Sequence, residues 1–253
     1  MEVVITRDEE EGAPYAAALG GGWRPVYLPV TQVAGADPAD LDRLQAALRT
    51  PRDHLFVASR HAVPPLAAAV RAAGLAPAEV APATAVGPAT AAALIAAGFT
   101  ATARGDTGVD AAAALVAAVR RAGAGPGWRV LAPRAAAGRD EPLALLRAAG
   151  AEVEDLVAYR TVAAAPGSPA LAAGRAALAA GAALCLVFAP SQVEALAALL
   201  AADGGLAACA ARFVALGPTT AAALRAHGVA CATAAAPTPE AMANAVATVY
   251  PEA

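Results

Sequence analysis

The sequence predicts an α/β protein built from two flavodoxin-like lobes, each with a parallel sheet flanked by helices. Two observations predict this class. Short apolar runs alternate with Ala- and Leu-rich helical segments, which is typical of parallel strands covered on both faces. The same order of motifs also occurs twice along the 253 residues, as an internal repeat.

The repeat is clearest at two Gly-Pro motifs, VGPATAAALIAAGF at 86–99 and LGPTTAAALRAHGV at 216–229. Gly87 and Gly217 are 130 residues apart, and the strand–helix segments upstream of them keep that offset. Nearer the start of each half, Arg7 and Arg134 are 127 residues apart. Duplication of one α/β unit is the simplest interpretation, although the repeat alone does not fix the boundary between the halves.

The elements of each half follow from these motifs in chain order. The first half has strand VVIT, a helix, strand PVYLPV, the strand–helix units LFVASRHAVPPLAAAV and AVGPATAAAL, and a short strand before DTGVDAAAALVAAV. The second half has VLAPR, a helix, EDLVAYRTV, CLVFAPSQVEALAALL, ALGPTTAAAL and PTPEAMANAVATV. Asp, Thr or Pro stands ahead of both final helices, where such residues favour a helix start.

Composition excludes several classes of protein. Hydrophobic residues make up 58% and charged residues 15%, which allows a large core and argues against disorder. A net charge of −3 argues against an extended nucleic-acid surface, and no window is apolar enough for a membrane span. MEVVITRDEE begins as a strand without a basic leader, so we expect no signal peptide and a cytoplasmic location.

Polar side chains stand where the predicted strands end. Ligands of open parallel sheets bind beyond the carboxyl ends of the strands. Candidate binding residues at such ends are Arg7, Ser59, Arg60, Arg134, Ser191, Thr219 and Thr220. The turns at Gly87 and Gly217 precede helix starts whose free N–H groups attract anions, although a plain strand-to-helix turn explains each motif equally well.

Familiar cofactor motifs are missing. No GxGxxG follows a strand, GxxxxGK[ST] is impossible without Lys, and GxSxG and metal-ligand spacings are absent. We therefore expect no cofactor and no metal. A site made of turns, hydroxyls and scattered Arg residues suits a polyanionic ligand held by many weak contacts.

The ordered set VVITR, PVYLPV, LFVASRHAV, AVGPATAAAL, AYRTV, VFAPSQVEAL and ALGPTTAAALRAHG resembles the uroporphyrinogen-III synthase family over essentially the whole chain. The resemblance implies one lobe of residues 1–30 plus 166–253, a second lobe of 36–158, and a two-stranded connector of 31–35 and 159–165. It also implies that the duplicated halves face each other across a cleft.

The resemblance further implies a cyclising hydro-lyase of porphyrin and haem biosynthesis. Its substrate is hydroxymethylbilane, a linear tetrapyrrole with eight carboxylates. The substrate loses water, the terminal pyrrole ring is inverted through a spiro intermediate, and the chain closes to uroporphyrinogen III. Orienting this flexible chain is the main task of such an enzyme.

Residue roles carry over at matching positions. Tyr159 in AYRT matches the family's tyrosine, a candidate general acid, since a phenol is ordinarily protonated at neutral pH; the alternative is that it only anchors the hinge. Thr219 and Thr220 match the family's Thr pair, and Ser59 matches a Ser at a strand end.

Arg7 and Arg134 are implied to face the cleft, with Arg139 as a further substrate-binding candidate. One departure concerns the second strand end, which usually reads Phe-Ser-Pro in this family. Here it reads Phe188-Ala189-Pro190, so the hydroxyl is lost at Ala189, and Ser191 follows two residues later.

Other functions stay open at this point. The main alternative is a non-catalytic bilobed relative that binds a tetrapyrrole or another small molecule, or that regulates. A periplasmic-type solute binder and a nucleotide-dependent dehydrogenase fit less well, because a signal peptide and a Gly-rich turn are missing. As partners we expect only hydroxymethylbilane, handed over by hydroxymethylbilane synthase, with no nucleic acid and no membrane, and a monomeric protein.

Overall fold

The computed structural model describes residues 1–250. The strands are β1 (Glu2–Ile5), β2 (Arg24–Tyr27), β3 (Thr31–Gly35), β4 (His54–Val57), β5 (Ala83–Ala85), β6 (Ala101–Ala103), β7 (Arg129–Ala135), β8 (Glu152–Ala163), β9 (Leu184–Val187), β10 (Arg212–Ala215) and β11 (Cys231–Thr233). The helices are α1 (Glu9–Leu19), α2 (Pro38–Leu48), α3 (Val63–Ala72), α4 (Gly87–Ala96), α5 (Gly108–Arg121), α6 (Glu141–Ala148), α7 (Pro169–Ala179), α8 (Pro190–Leu200), α9 (Pro218–Ala226) and α10 (Pro239–Val249).

The chain forms two compact units, each with its own sheet. The first unit comprises Met1–Gln32 and the chain from Val162 onward, and the second unit comprises Val33–Thr161. The sheet of the first unit has the order β11-β10-β9-β1-β2, and the other sheet has the order β3-β8-β7-β4-β5-β6.

Strand pairing within the two sheets is alike. In the first unit, β1 pairs in parallel with β2 and β9, and β10 pairs in parallel with β9 and β11. In the second unit, β7 pairs in parallel with β8 and β4, and β5 pairs in parallel with β4 and β6. The strand registers also agree: Val3 of β1 lies opposite Leu184 of β9, and Val130 of β7 lies opposite His54 of β4. The predicted α/β class with parallel sheets flanked by helices is confirmed.

Each sheet is buried on both faces because successive side chains point to opposite sides of a strand. In β1, Val3 and Ile5 belong to an apolar cluster with Tyr15 of α1 and Met242 of α10, while Val4 belongs to a cluster on the other face with α7, α8 and α9. The second unit is built in the same way around β4, where alternate residues enter two clusters. In β1 and β4, polar groups therefore lie at or beyond the strand ends.

Among the described residues, no helix is long and apolar enough to cross a membrane.

Helix α7 packs unusually close to the chain that leaves β2. A Cβ atom on Gly174 would lie 2.7 Å from Cβ of Leu28, which is fully buried. Glycine is a poor helix residue, by about 1 kcal/mol relative to Ala. Its presence in the middle of α7 is explained by this contact.

We therefore expect Gly174→Ala to destabilise the protein by about 1–3 kcal/mol, although Ala is the better helix former. Denaturant unfolding measures the effect. Combining Gly174→Ala with Leu28→Gly should cost less than the sum of the two single changes, because the side-chain atoms that a Cβ at position 174 would meet are then absent. A Gly174→Ala protein as stable as the original would contradict this packing argument.

Candidate functional site

A cavity of about 490 Å³ lies at the carboxyl ends of β4, β7 and β8 in the second unit. We call it the carboxyl-end cavity. Its volume is within the range of about 300–1,000 Å³ that small-molecule sites occupy. It is lined by Phe56, Ala58, Ser59, Ala62, Val86, Thr107, Gly108, Val109, Ala132, Pro133, Arg134, Ala135, Gly138, Arg139, Glu141, Pro142, Leu143 and Tyr159.

The sheet brings distant parts of the sequence to this cavity. Ser59 is two residues beyond the end of β4, Arg134 is near the end of β7, and Tyr159 is in β8. The pairing of β7 with β8 shifts register between Arg134 and Ala135, so that Ala135 lies opposite Tyr159. The backbone N–H of Ala136 donates to the Tyr159 carbonyl at 3.0 Å. This pairing places the Tyr159 side chain in the cavity wall.

Tyr159 is well packed, yet its hydroxyl is available. The residue is 8% exposed and belongs to the apolar cluster around β4. Its ring lies 5.9 Å from the ring of His61, between centroids. Within residues 1–250 the hydroxyl makes no hydrogen bond. A substrate group in the cavity can therefore accept its proton without displacing a protein partner.

Arg134 is held by two carboxylates. Its Nη1 atom lies 2.5 Å from Oδ1 of Asp140 and 3.5 Å from Oδ2 of Asp155, and the arginine side chain is 17% exposed. Asp155 is fixed in turn by Arg147 at 2.6 Å. The hydrogen bond and charge of Arg134 hold the pKa of Asp140 below its usual value. Arg134 is thus well positioned, and Asp140, 80% exposed, is the partner that an incoming carboxylate can replace.

Arg139 adds a second cation to the cavity wall. It is exposed, and within residues 1–250 it makes no ion pair. Most of the remaining lining is apolar. A cavity with mostly apolar walls, two guanidinium groups and one carboxylate, that of Glu141, suits a flat ring whose own carboxylates pair with the arginines.

The carboxyl end of the first unit's sheet is built differently. The Arg7 guanidinium carbon lies 4.2 Å from the ring centroid of Phe188 and 5.4 Å from that of Tyr15. The Oε2 atom of Glu11 lies 3.9 Å from Nη1 of Arg7. Burial raises the pKa of Tyr15, and the charge of Arg7 partly opposes the increase. Arg7 is therefore a cation lying on an aromatic surface, a favourable arrangement.

The two Gly-Pro turns also differ. Gly87 has φ of +73°, which favours glycine, and its N–H donates to the Gly105 carbonyl. Gly217 has φ of −166°, which is extended backbone open to any residue. The tight turn expected at both positions thus requires glycine only at Gly87.

The predicted hydroxyl-bearing site residues of the first unit lie at helix starts. Thr219 and Ser191 are exposed in the first turns of α9 and α8, whereas Thr220 is buried. Thr219 and Ser191 are available to a ligand. Thr220 is held in the protein interior.

Among the described residues, six helix starts have no side-chain cap, those of α2, α3, α4, α6, α8 and α9, and three of them stand at the two Gly-Pro turns and at Ala189-Pro190. These three belong to α4, α8 and α9, whose N-terminal N–H groups are left for another acceptor. By contrast, Asp8, Thr107, Ser168 and Thr238 cap α1, α5, α7 and α10. Carboxylates are suitable acceptors at uncapped helix starts.

Ser59 and Ala189 occupy corresponding positions of the repeat. Their backbone angles are nearly the same, with φ of −150° at both and ψ of 142° and 153°. The Ser59 hydroxyl accepts from the His61 N–H at 3.3 Å and caps the short 3-10 helix Arg60–Ala62. Ala189 precedes α8 and has no hydroxyl to do the same.

Ala189→Ser should therefore stabilise the protein by about 0.5–1 kcal/mol, because the backbone is already arranged for a cap. Thermal unfolding measures the change. Ala189→Val is the matched control, since it adds bulk without an acceptor. The capping argument fails if Ala189→Ser is no more stable than Ala189→Val.

The structure gathers four of the predicted site residues into one cavity: Ser59, Arg134, Arg139 and Tyr159. Gly87 follows the lining residue Val86, and Arg60 is not in the lining. Arg7, Ser191, Gly217, Thr219 and Thr220 belong to the first unit.

Sequence reasoning missed the first turns of α5 and α6, which supply much of the lining. DTGVD was recognised as a helix start, but nothing in it showed that Thr107, Gly108 and Val109 reach this cavity. It also missed Asp140 as the partner of Arg134 and Phe188 as the support of Arg7.

In residues 1–250, no group of three or more His, Cys, Asp or Glu side chains is arranged to hold a metal ion.

Comparison with known proteins gives the family. The model of the family described as uroporphyrinogen-III synthase HemD matches residues 14–244. A mutant uroporphyrinogen III synthase from the extremely thermophilic bacterium Thermus thermophilus is 23% identical, with coverage of 99% of this chain and 98% of its own and a TM-score of 0.56. The uroporphyrinogen-III synthetase of Helicobacter pylori is 16% identical, with coverage of 98% and 99% and a TM-score of 0.61. No sequence among curated proteins matches significantly. The two solved structures share the fold, and the family match shows that the chain belongs to the uroporphyrinogen-III synthase family.

Proposed function

We propose that the chain carries out the reaction of its family at the carboxyl-end cavity, with Tyr159 as the general acid. The family's members are cyclising lyases that convert hydroxymethylbilane into uroporphyrinogen III, and this chain has that function. The observation that supports the location is the cavity itself, which joins an unpartnered Tyr159 hydroxyl to two arginines.

Substrate binding is assigned to many modest contacts. Arg134 and Arg139 each offer a guanidinium to a substrate acetate or propionate, and the uncapped start of α4 offers N–H groups. Arg7, Ser191, Gly217, Thr219 and the uncapped starts of α8 and α9 are assigned to the carboxylates that the second unit does not hold. Thr220, being buried, is assigned to support of that turn. Arg60 is kept as a substrate-binding candidate on its sequence position alone.

The first chemical step is loss of water. The Tyr159 O–H donates its proton to the hydroxymethyl oxygen, the C–O bond breaks, and water leaves. The lone pair of the pyrrole nitrogen moves into the ring to form the exocyclic double bond, and loss of the pyrrole N–H proton gives a neutral azafulvene. That released proton restores the phenol, so the overall step removes only water.

Ring inversion then depends on orientation. The substituted carbon of the last pyrrole ring must reach the azafulvene carbon before the unsubstituted one does. Holding several carboxylates at once restricts the chain to such an arrangement, and effective molarities of this kind accelerate intramolecular reactions strongly. Packed cavity walls and the fixed Arg134 meet that requirement without a nucleophile.

Isomer analysis tests the function. Hydroxymethylbilane is generated in situ, purified protein is added, and the products are oxidised and separated into type I and type III uroporphyrins. We expect type III to predominate. Type I alone, formed at the rate seen without protein, would instead indicate a non-catalytic relative.

Tyr159→Phe should lower kcat by roughly 100-fold or more if the phenol donates the proton. Tyr250→Phe is the matched control: it removes a hydroxyl that donates to the Ala183 carbonyl, at the amino end of β9. The control should lose stability but keep its activity. A loss of only a few-fold for Tyr159→Phe would make Tyr159 a positioning residue.

Arg139→Ala should lower kcat/KM by a factor of about 10–150, the equivalent of one charge-assisted hydrogen bond. The loss should fall mainly on KM, because the contact is present before and during the reaction. Arg121→Ala, on the exposed last turn of α5, is the control. A loss of more than about a thousandfold with the fold intact would contradict distributed binding.

Several finer assignments stay predictions. They are the domain boundaries with the connector of 31–35 and 159–165, the facing of the two halves across a cleft, and handover by hydroxymethylbilane synthase. The cytoplasmic location and the monomeric state belong with them.

A further inference from the structure

We propose that the two units of the repeat are not equivalent substrate sites: the second unit alone takes a pyrrole ring inside its sheet end, the ring that carries the hydroxymethyl group. Ala58 is the specificity-determining residue that keeps this space open. The inference rests on the proposed function and adds to it which substrate ring occupies the carboxyl-end cavity.

The first observation is the pair Ala58 and Phe188. They are 130 residues apart, the offset that the Gly-Pro motifs share, and each directly follows its strand. Phe188 is 6% exposed and packs edge-on against Tyr15, with 4.7 Å between ring centroids. Ala58 is exposed and lines the carboxyl-end cavity. A large ring fills one unit where a methyl group leaves space in the other.

Two further pairs differ in the same direction. Ile5 in β1 corresponds to Ala132 in β7, with strand registers that agree. Met242 corresponds to Ala111, four residues after the capping threonines Thr238 and Thr107. Ile5 and Met242 pack with Phe188 in one cluster, whereas the smaller Ala132 and Ala111 pack in a cluster of the second unit, and Ala132 also lines the cavity.

Arg7 and Arg134, which follow or end the corresponding strands β1 and β7, are held differently in the two units. In the first unit Phe188 supports Arg7, so the charge lies on top of a filled sheet end. In the second unit Arg134 is held from the side by Asp140 and Asp155, and the space beside it stays open. The first unit therefore offers a charged surface, and the second offers a charged pocket.

The identity of the ring follows from Tyr159. A general acid must lie about 2.6–3.2 Å from the atom it protonates. Tyr159 lines this cavity, so the ring whose hydroxyl it protonates has to enter the same space. Phe56, Ala132 and Pro142 supply apolar contacts for the ring, and Arg134 and Arg139 are placed for its acetate and propionate groups.

Filling the cavity tests the inference. Ala58→Phe copies the residue of the first unit at an exposed position, so it adds bulk to the cavity without entering the core. Ala58→Ser, Ala58→Val and Ala58→Leu form a graded series. Ala117→Phe, on the exposed face of α5, is the control for an added ring. Folding is checked by circular dichroism and thermal unfolding, and type III formation from hydroxymethylbilane is the readout.

We expect kcat/KM to fall progressively along the series from Ala58→Ser to Ala58→Phe. Ala58→Phe should lose roughly 100-fold or more, because the added ring displaces the substrate ring from its reactive orientation. In that variant the product should shift toward type I. Ala117→Phe should behave like the unmodified protein. If Ala58→Phe is unstable, the decline from Ser to Leu carries the test.

Type III formation that is unaffected by Ala58→Phe or by the graded series would overturn the inference. Failure of the proposed function is a separate outcome, because then the unmodified protein itself would yield only type I.

Discussion

Parallel strands that are covered on both faces have only their ends available to a ligand. In this chain the middle residues of β1, β4 and β9 are fully or almost fully buried, and the polar groups collect where those strands stop. The carboxyl ends are the useful ones, because the following helices point their N-terminal N–H groups there. Position, rather than any unusual residue, makes these ends suitable for a substrate with many carboxylates.

The two units use the same topology for different purposes. One sheet end is closed by Tyr15 and Phe188 and presents Arg7 on its surface. The other is open, with Tyr159 in its wall and Arg134 fixed at its side. A few differences between large and small side chains alter the sheet end while the buried strands keep the fold. A reaction that needs one general acid and a well-oriented substrate then requires a cavity at the carboxyl end of only one of the two sheets.

The fold class was predictable because apolar runs, helix-start residues and the repeat all indicate the same architecture. Arg134 was predicted because strand ends can be located in a sequence, and Tyr159 because AYRT resembles a motif of the family; both line the cavity. The cavity lining from Thr107 to Val109 could not be found, because helix packing over a sheet end depends on contacts between distant segments. Gly87 and Gly217 look alike in sequence and differ in φ, since neighbouring contacts decide whether the left-handed conformation is needed.

We propose that the hydroxymethyl-bearing ring occupies the carboxyl-end cavity beside Tyr159. A crystal structure with a bilane that carries methyl in place of hydroxymethyl tests it most directly, because this analogue binds without losing water. We expect the methyl-bearing ring to lie against Ala58 and Ala132, with its methyl carbon within about 3.5 Å of the Tyr159 oxygen. A bound analogue whose methyl-bearing ring lies elsewhere, with the cavity holding only solvent, would contradict this placement.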